Sequence, residues 1–377
     1  MTAITLTPVR SRADRQAFVD LPKRLYRGKV GYLAPLDFDR LPAIDPQKAP
    51  FFQHGETEFW LARRNGVAVG RVSAQVNHLL STQKGGENIG QFGYLDAEND
   101  PDLVALLLEK AENFVRQRGK TAIQGPFSLS INEECGLMID GFDSFPHMLM
   151  PFHPPYLQAA VGRAGYQKAK DLFAYDYDLG ALGTQNALKK LRADPRFVLR
   201  TVNMADFDTD IARVVDVFND AWSDNWGFAP FTAAEIAHLA QSLRPIVRKE
   251  LILLVDYAGE TQGMAIATAN ILEAARGLNG RLFPFGFATL LARLNRKGAV
   301  RTCRVPLMGV RKKWRDDIAG AIIARGLIEQ LQENAAAAGF VRAELSWVLE
   351  DNKSMNMLAK ALRAKPYKTY RIFEKSL

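Results

Sequence analysis

The run Val305-Pro306-Leu307-Met308-Gly309-Val310-Arg311-Lys312-Lys313-Trp314-Arg315-Asp316-Asp317-Ile318-Ala319-Gly320 decides how the whole chain is read. A short apolar strand enters a basic turn, and the turn enters a helix. Ile318, Ala319, Ile322, Ile323, Gly326, Leu327 and Leu331 recur at helical spacing and so share one face. Gly339 ends the helix, and the alternating run Val341 to Val348 forms a second strand leading to Asn352. Unpaired amides at the helix start, the helix dipole and the neighbouring cations together favour an anion such as a phosphate at that point.

This arrangement resembles the core of the GNAT superfamily of acyl-CoA transferases. The superfamily's pyrophosphate loop reads Arg or Gln, two residues of any kind, Gly, one residue, then Gly or Ala. Arg315 and Gly320 take its first and last places, and Ile318 stands where the middle glycine would be. Further on, Asn352-Lys353-Ser354-Met355-Asn356-Met357-Leu358 resembles the Asn-bearing turn that opens the superfamily's last helix. Ala359 falls roughly where many members carry the tyrosine that protonates the departing thiolate, so an acid must come from elsewhere. The resemblance implies that Met308, Gly309 and Val310 hold pantetheine, and that Arg311, Arg315 and the amides through Ile318, Ala319 and Gly320 hold pyrophosphate.

The same order occurs earlier in the chain. Ile89 to Leu95 reads as a strand, Pro101 to Arg118 as a helix burying Leu103, Leu106, Leu107, Phe114 and Val115, and Thr121 to Gln124 as a strand, with Gly119 placed as Gly339 is. Such a repeat predicts an α/β protein with mixed sheets and two tandem GNAT domains, residues 1–179 and 180–377. In the first copy, Asp96, Glu98, Asp100 and Asp102 follow the strand and would repel a pyrophosphate, so coenzyme A is expected only in the second. Arg64-Asn65-Gly66 between two apolar runs is a hairpin signal. Arg15 to Arg27 has helical spacing, interrupted by Pro22 or beginning near it, and the prolines from Pro35 to Pro50 predict a non-helical arm. Residues 180–195 read as a polar linker.

At 377 residues and 47% hydrophobic content, the chain can bury large cores. The N-terminus lacks a signal peptide's apolar run, and no apolar stretch approaches the ~18 residues of a membrane span, which predicts a cytoplasmic protein. Two cysteines and five scattered histidines give neither a disulfide framework nor a metal site. The net charge is +8, yet Arg281 to Arg315 alone holds ten basic residues and no acidic one. That concentration suits coenzyme A phosphates, an anionic membrane surface or nucleic acid, or is simply a solvated face.

Two irregular stretches carry the remaining candidates. Residues 125–156, rich in Gly and Pro, contain Asn132, Glu133, Glu134, His153 and Tyr156, of which the last four are candidates for acid–base work or are ordinary satisfied loop groups. Cys135 lacks the local signature of a catalytic thiol. The aromatic loop from Trp222 through Asn225 to Phe228 lines a substrate cleft or seals the core. The insertion 272–300 sets Phe283 and Phe285 before a short apolar helix edged with Arg and Lys, as a membrane-interface element or the mouth of a lipid tunnel would.

Taken together, Asn132-Glu133-Glu134-Cys135-Gly136, His153-Pro154-Pro155-Tyr156 and Gly280-Arg281-Leu282-Phe283-Pro284-Phe285-Gly286 resemble a bacterial family that includes acyl-CoA-dependent ceramide synthases. That resemblance implies transfer of a fatty acyl group from an acyl-CoA to the amine of a sphingoid base such as sphinganine or its 3-keto form. Glu134 or His153 would take the ammonium proton and Tyr156 would protonate the thiolate. No metal is required. Two other classes share parts of this pattern: an aminoacyl transferase using charged tRNA, for which nucleic acid is the less favoured partner here, and a non-catalytic lipid-binding protein on a decayed fold.

Overall fold

The computed structural model describes residues 3–82, 85–180, 186–244 and 247–377. Met1 and Thr2 of the N-terminal stretch, and residues 181–185 of the expected linker, lie outside them. In the first copy, β1 (Ile4–Pro8) pairs with β2 (Gly55–Arg64), and β2 pairs with β3 (Val67–Asn77) through a turn at Asn65 and Gly66. Both turn residues have positive φ, 52° and 78°, which Asn and Gly tolerate better than other residues.

Helix α1 (Arg12–Leu25) opens on a capping box made by Ser11 and Asp14. Pro22 lies inside it rather than at its first turn. A proline cannot donate to the carbonyl four residues back, and the freed oxygen of Phe18 accepts instead from the Arg71 guanidinium at 2.8 Å. The arm expected to be non-helical contains a seven-residue helix, α2 (Asp37–Ala43), which tolerates Pro42 near its end and is favoured by Asp37 and Asp39 in its first turn and Arg40 in its last.

Then follow β4 (Ile89–Ala97), α3 (Pro101–Arg116) and β5 (Ala122–Gly125) in the expected order, a short strand β6 (Leu137–Asp140) within the central loop, α4 (Pro155–Arg163) and β7 (Gln167–Asp178). The second copy runs α5 (Asn186–Ala193), β8 (Phe197–Thr201), α6 (Phe207–Trp222), α7 (Ala233–Leu243), β9 (Ile252–Tyr257) and β10 (Glu260–Ala269). It continues with α8 (Ile271–Ala274), α9 (Gly286–Asn295), β11 (Thr302–Val310), α10 (Ile318–Ala337), β12 (Arg342–Leu349), α11 (Lys353–Ala361) and β13 (Lys365–Ser376).

One sheet joins both copies in the order β1-β2-β3-β4-β5-β13-β7-β12-β11-β10-β9-β8, with β6 attached to β13. The last strand of the chain crosses into the first copy and lies between β5 and β7, while β7 lies against β12 of the second. Strand alternation then sends side chains to two cores. On β10, Met264 and Ile266 pack with Val214 and Phe218 of α6, whereas Ala265 and Ala267 pack with Ile323 and Leu327 of α10. Thus α6 and α7 cover one face of the second copy's sheet, and α10 and α11 the other.

Each copy has a parallel pair that parts company. In the second, β11 and β12 stay in register only from Thr302↔Arg342 to Val305↔Leu345, and beyond that point the strands diverge into an open V. In the first, β4 and β5 pair only from Ile89↔Ala122 to Gln91↔Gln124, and there the chain fills its own gap. The Phe127 amide donates to the Phe92 carbonyl at 2.7 Å. Its carbonyl presses so close to Gly93 that a Cβ there would lie 1.6 Å away.

Candidate active site

The V in the second copy opens into an apolar cavity of about 280 Å³. It touches both faces of the sheet: Phe218, Phe231 and Leu243 wall it on one side, Leu331, Ala335 and Ala359 on the other. Of the residues singled out in the sequence, Asn132, Trp222, Asn225, Met308 and Asn352 converge on it. Asn132 is held by donation to the Ala229 carbonyl at 3.0 Å, and Trp222 by donation from its indole to the Met308 carbonyl at 3.1 Å. Asn352 caps α11 by accepting from the Met355 amide at 3.1 Å.

The start of α10 follows from its local sequence. Ile318 is 79% exposed, so the residue in the middle glycine's place turns its side chain away from the turn. Gly320 does need to be glycine, because a Cβ there would sit 1.9 Å from the Trp314 carbonyl oxygen. The cations of the turn are answered by carboxylates on α6, just after it and on β10: Arg311 pairs with Asp216, Lys312 with Asp224 at 2.6 Å, Arg315 with Asp224 at 3.2 Å and Lys313 with Glu260 at 3.6 Å. The Ala319 amide, expected to be unpaired, accepts its partner from the chain itself by donating to Asp317 at 2.8 Å. Any anion bound at this helix end would have to displace these carboxylates.

The acid–base candidates lie elsewhere. Glu134 forms an ion pair with Arg40 and, with His153, lines a separate cavity of about 60 Å³ in the first copy. His153 is buried and accepts from the Met138 amide at 3.1 Å, and burial pulls its pKa down to about 4. Tyr156 donates to the Ala97 carbonyl at 2.6 Å and packs against the first copy's core, with burial pushing its pKa up to about 12. Glu133 follows Asn132 in the chain and is exposed, outside the residues that wall the large cavity. The protein packed around it, with Asp39 second, pushes its carboxyl upward, and the solvent that reaches this exposed residue limits the rise. Cys135 lines the large cavity, but burial pushes its thiol well up, away from thiolate chemistry. Phe283 and Phe285 are 84% and 80% exposed and stand on the surface rather than in the cavity.

A buried ionic cluster at the root of the V carries no sequence motif. Arg304, counted above with the surface cations, is buried and walls the cavity. It donates to Ser346 Oγ at 2.9 Å and to the Met148 carbonyl at 2.7 Å. Glu344 accepts from Ser346 Oγ at 2.7 Å and from the Tyr367 hydroxyl, and lies 3.4 Å from Lys368 Nζ. Burial alone would raise the Glu344 carboxyl, yet His147, Lys368 and Arg304 outweigh it and hold it at about 2. The signal in the sequence is slight: Arg304 is the lone charge of β11, and Glu344 follows Arg342 in the otherwise uncharged β12. Among the described residues, no group of three or more His, Cys, Asp or Glu is gathered as metal ligands would be.

Two copies of a strand, loop and long helix beside a V of parallel strands define a tandem GNAT fold. Solved structures agree in architecture. A tandem GNAT protein from the clavulanic acid biosynthesis pathway aligns over 99% of this chain and 98% of its own with a TM-score of 0.58 and 13% identity. A GCN5-related N-acetyltransferase from Sphaerobacter thermophilus aligns over 99% and 95% with a TM-score of 0.52 and 13% identity. No family model matches the sequence. The bacterial ceramide synthase of Caulobacter vibrioides is 40% identical over 376 residues, 99% of this chain and 98% of its own length. Protein YghO of Escherichia coli is 37% identical over 369 residues, 97% and 94% of the two chains. The chain belongs to the bacterial ceramide synthase family, whose members are acyltransferases, and has the tandem GNAT fold.

Proposed function

We propose that the protein transfers a long-chain acyl group from coenzyme A to the amine of a sphingoid base, as a bacterial ceramide synthase does. The observation that carries this reading is the open V in the second copy, continuous with an apolar cavity, against a first copy whose V is filled by Phe127. Pantetheine would lie along Met308 to Val310, and the pyrophosphate by Arg311, Arg315 and the α10 amides up to Gly320. Only the free amine attacks, so a base is needed at the rim. Glu133 is assigned that role as the exposed carboxylate next in the chain to Asn132, which does line the cavity, whereas Glu134 and His153 line the separate cavity of the first copy and would act through water. The residues 1–179 contribute the loop 125–156 to a site built mainly by residues 180–377.

Turnover of palmitoyl-CoA with sphinganine tests this, beside thermal shifts with palmitoyl-CoA, acetyl-CoA and tRNA. The expected result is stabilisation by palmitoyl-CoA, and a fall of about 100-fold in turnover for Glu133→Gln, the size typical of a lost general base. Stabilisation by tRNA alone would sink the reading.

The acceptor's tail calls for a place to leave the bilayer. Among the described residues no helix is long and apolar enough to cross a membrane. However, Phe283, Phe285 and Phe287 are exposed beside Arg281, Arg296 and Lys297. Exposed Phe38 and Phe145 are tied to the same region, the first by the Asp37 amide on the Gly280 carbonyl, the second by the Arg276 guanidinium over its ring. Aromatic rings among cations suit an anionic membrane surface on the cytoplasmic side. Sedimentation with vesicles containing phosphatidylglycerol should fall about tenfold when Phe283, Phe285 and Phe287 are changed to serine, and should weaken with salt. Wild-type protein left in the supernatant at low salt would remove the membrane from this account.

A further inference from the structure

The cavity has two arms, and the chemistry at its rim distinguishes them. One arm lies between α10 and α11, walled by Cys303, Leu331, Ala335, Ala343, Ala359 and Leu362. The other lies beneath α7, walled by Phe218, Phe228, Phe231, Leu239 and Leu243. These walls belong to separate cores on opposite faces of the sheet, and they meet at the V, where Arg304 and Ser346 supply polar groups. A reaction joining two aliphatic molecules at their polar ends needs this arrangement: a polar waist with an apolar channel on each side.

Which tail enters which arm follows from where the two heads stand, and this step rests on the function proposed above. Asn132, which lines the cavity, is hydrogen-bonded to Ala229, in the connection between α6 and α7, so the rim formed by Asn132 belongs to the α7 side. An amine deprotonated at that rim extends its tail beneath α7. The thioester arrives past the start of α10 and along Met308, and its acyl chain takes the remaining arm. In that arm, α11 presents Ala359, whose small buried side chain leaves the bore open. A large side chain there would stand in the channel.

We infer that the arm between α10 and α11 holds the acyl chain, that the arm beneath α7 holds the tail of the amine, and that Ala359 sets the acyl bore. Equilibrium binding is the readout, so the result does not depend on turnover. Four probes suffice: palmitoyl-CoA, butyryl-CoA, sphinganine and a short-chain amino alcohol. For the wild type, each long-chain probe is expected to bind tighter than its short-chain partner. Ala359→Phe should cut the preference for palmitoyl-CoA over butyryl-CoA by about tenfold or more, the equivalent of two buried methylenes, and leave the amine preference in place. Leu239→Trp should do the reverse. Ala335→Leu, on the other wall of the same arm, repeats the first measurement should Ala359→Phe fail to fold. An Ala359→Phe or Ala335→Leu protein that loses the amine preference instead overturns the assignment, and so does a wild type binding palmitoyl-CoA no better than butyryl-CoA. A wild type that binds both long probes in separable arms yet makes no amide would sink the proposed reaction and leave the two arms standing.

Discussion

Exchanging Glu344 for alanine is expected to destabilise the protein by about 3–5 kcal/mol, seen as a lower urea midpoint. Glu344 is 2% exposed and sits among Arg304, Lys368, Ser346 and Tyr367, so its removal strands two buried cations and orphans two hydroxyl donors. Glutamine in its place keeps an acceptor for the hydroxyls and should cost less. The same group makes a prediction for acid. Its pKa is depressed from 4.5 to about 2, so its stabilisation is fully present above about 4.5 and is lost as the pH falls toward 2. His147, which burial brings from 6.5 to about 4, makes an earlier loss as the pH falls from about 6.5 to about 4, where the unfolded chain takes up the proton first, and adds little below that. A cost for Glu344→Ala under about 1 kcal/mol, the scale of an exposed pair, would mean that water reaches the cluster.

Much of the fold was written locally and could be read there. The Asn65-Gly66 turn, the helix from Ile318 and the stop at Gly339, with φ of 96°, are set by residues within a few positions of one another. The repeat extended that reading to two copies. What could not be read was contact at long range. Nothing in Lys365 to Ser376 says that this strand lies between β5 and β7, since its alternation fits any neighbour. The ionic cluster is hidden for the same reason: Arg304 and Ser346 are 42 positions apart, Glu344 and Lys368 are 24 apart, and each alone reads as a stray charge or hydroxyl. The cavity's sides also come from distant segments, which is why Asn132 and Asn352 looked unrelated. In the first copy, the acidic residues that read as unfavourable to phosphate do lie at the start of α3, which Asp100 caps, while the filling of the gap between β4 and β5 by Phe127 gave no sign in the sequence.

Gly320→Leu is expected to cut acyl-CoA-dependent turnover by about 100-fold, the size of effect that a displacement of about 1 Å can have on a positioned reactant. Any Cβ at this position meets the Trp314 carbonyl at 1.9 Å, and Trp314 has nowhere to retreat. Its indole donates to Gln262 at 3.0 Å, and its ring packs edge-on against Phe197 and Tyr257. The strain must move the first turn of α10 away from the turn that carries Arg311 and Arg315, separating the amides from the cations that would share one pyrophosphate. Overpacking of this kind costs about 1–3 kcal/mol, which the rest of α10 can absorb, so the protein should still fold. The informative measurement is the thermal shift on adding palmitoyl-CoA, made on both proteins. Wild type should be stabilised and Gly320→Leu should respond little. A folded Gly320→Leu protein stabilised by palmitoyl-CoA as strongly as wild type would place the nucleotide somewhere other than the start of α10.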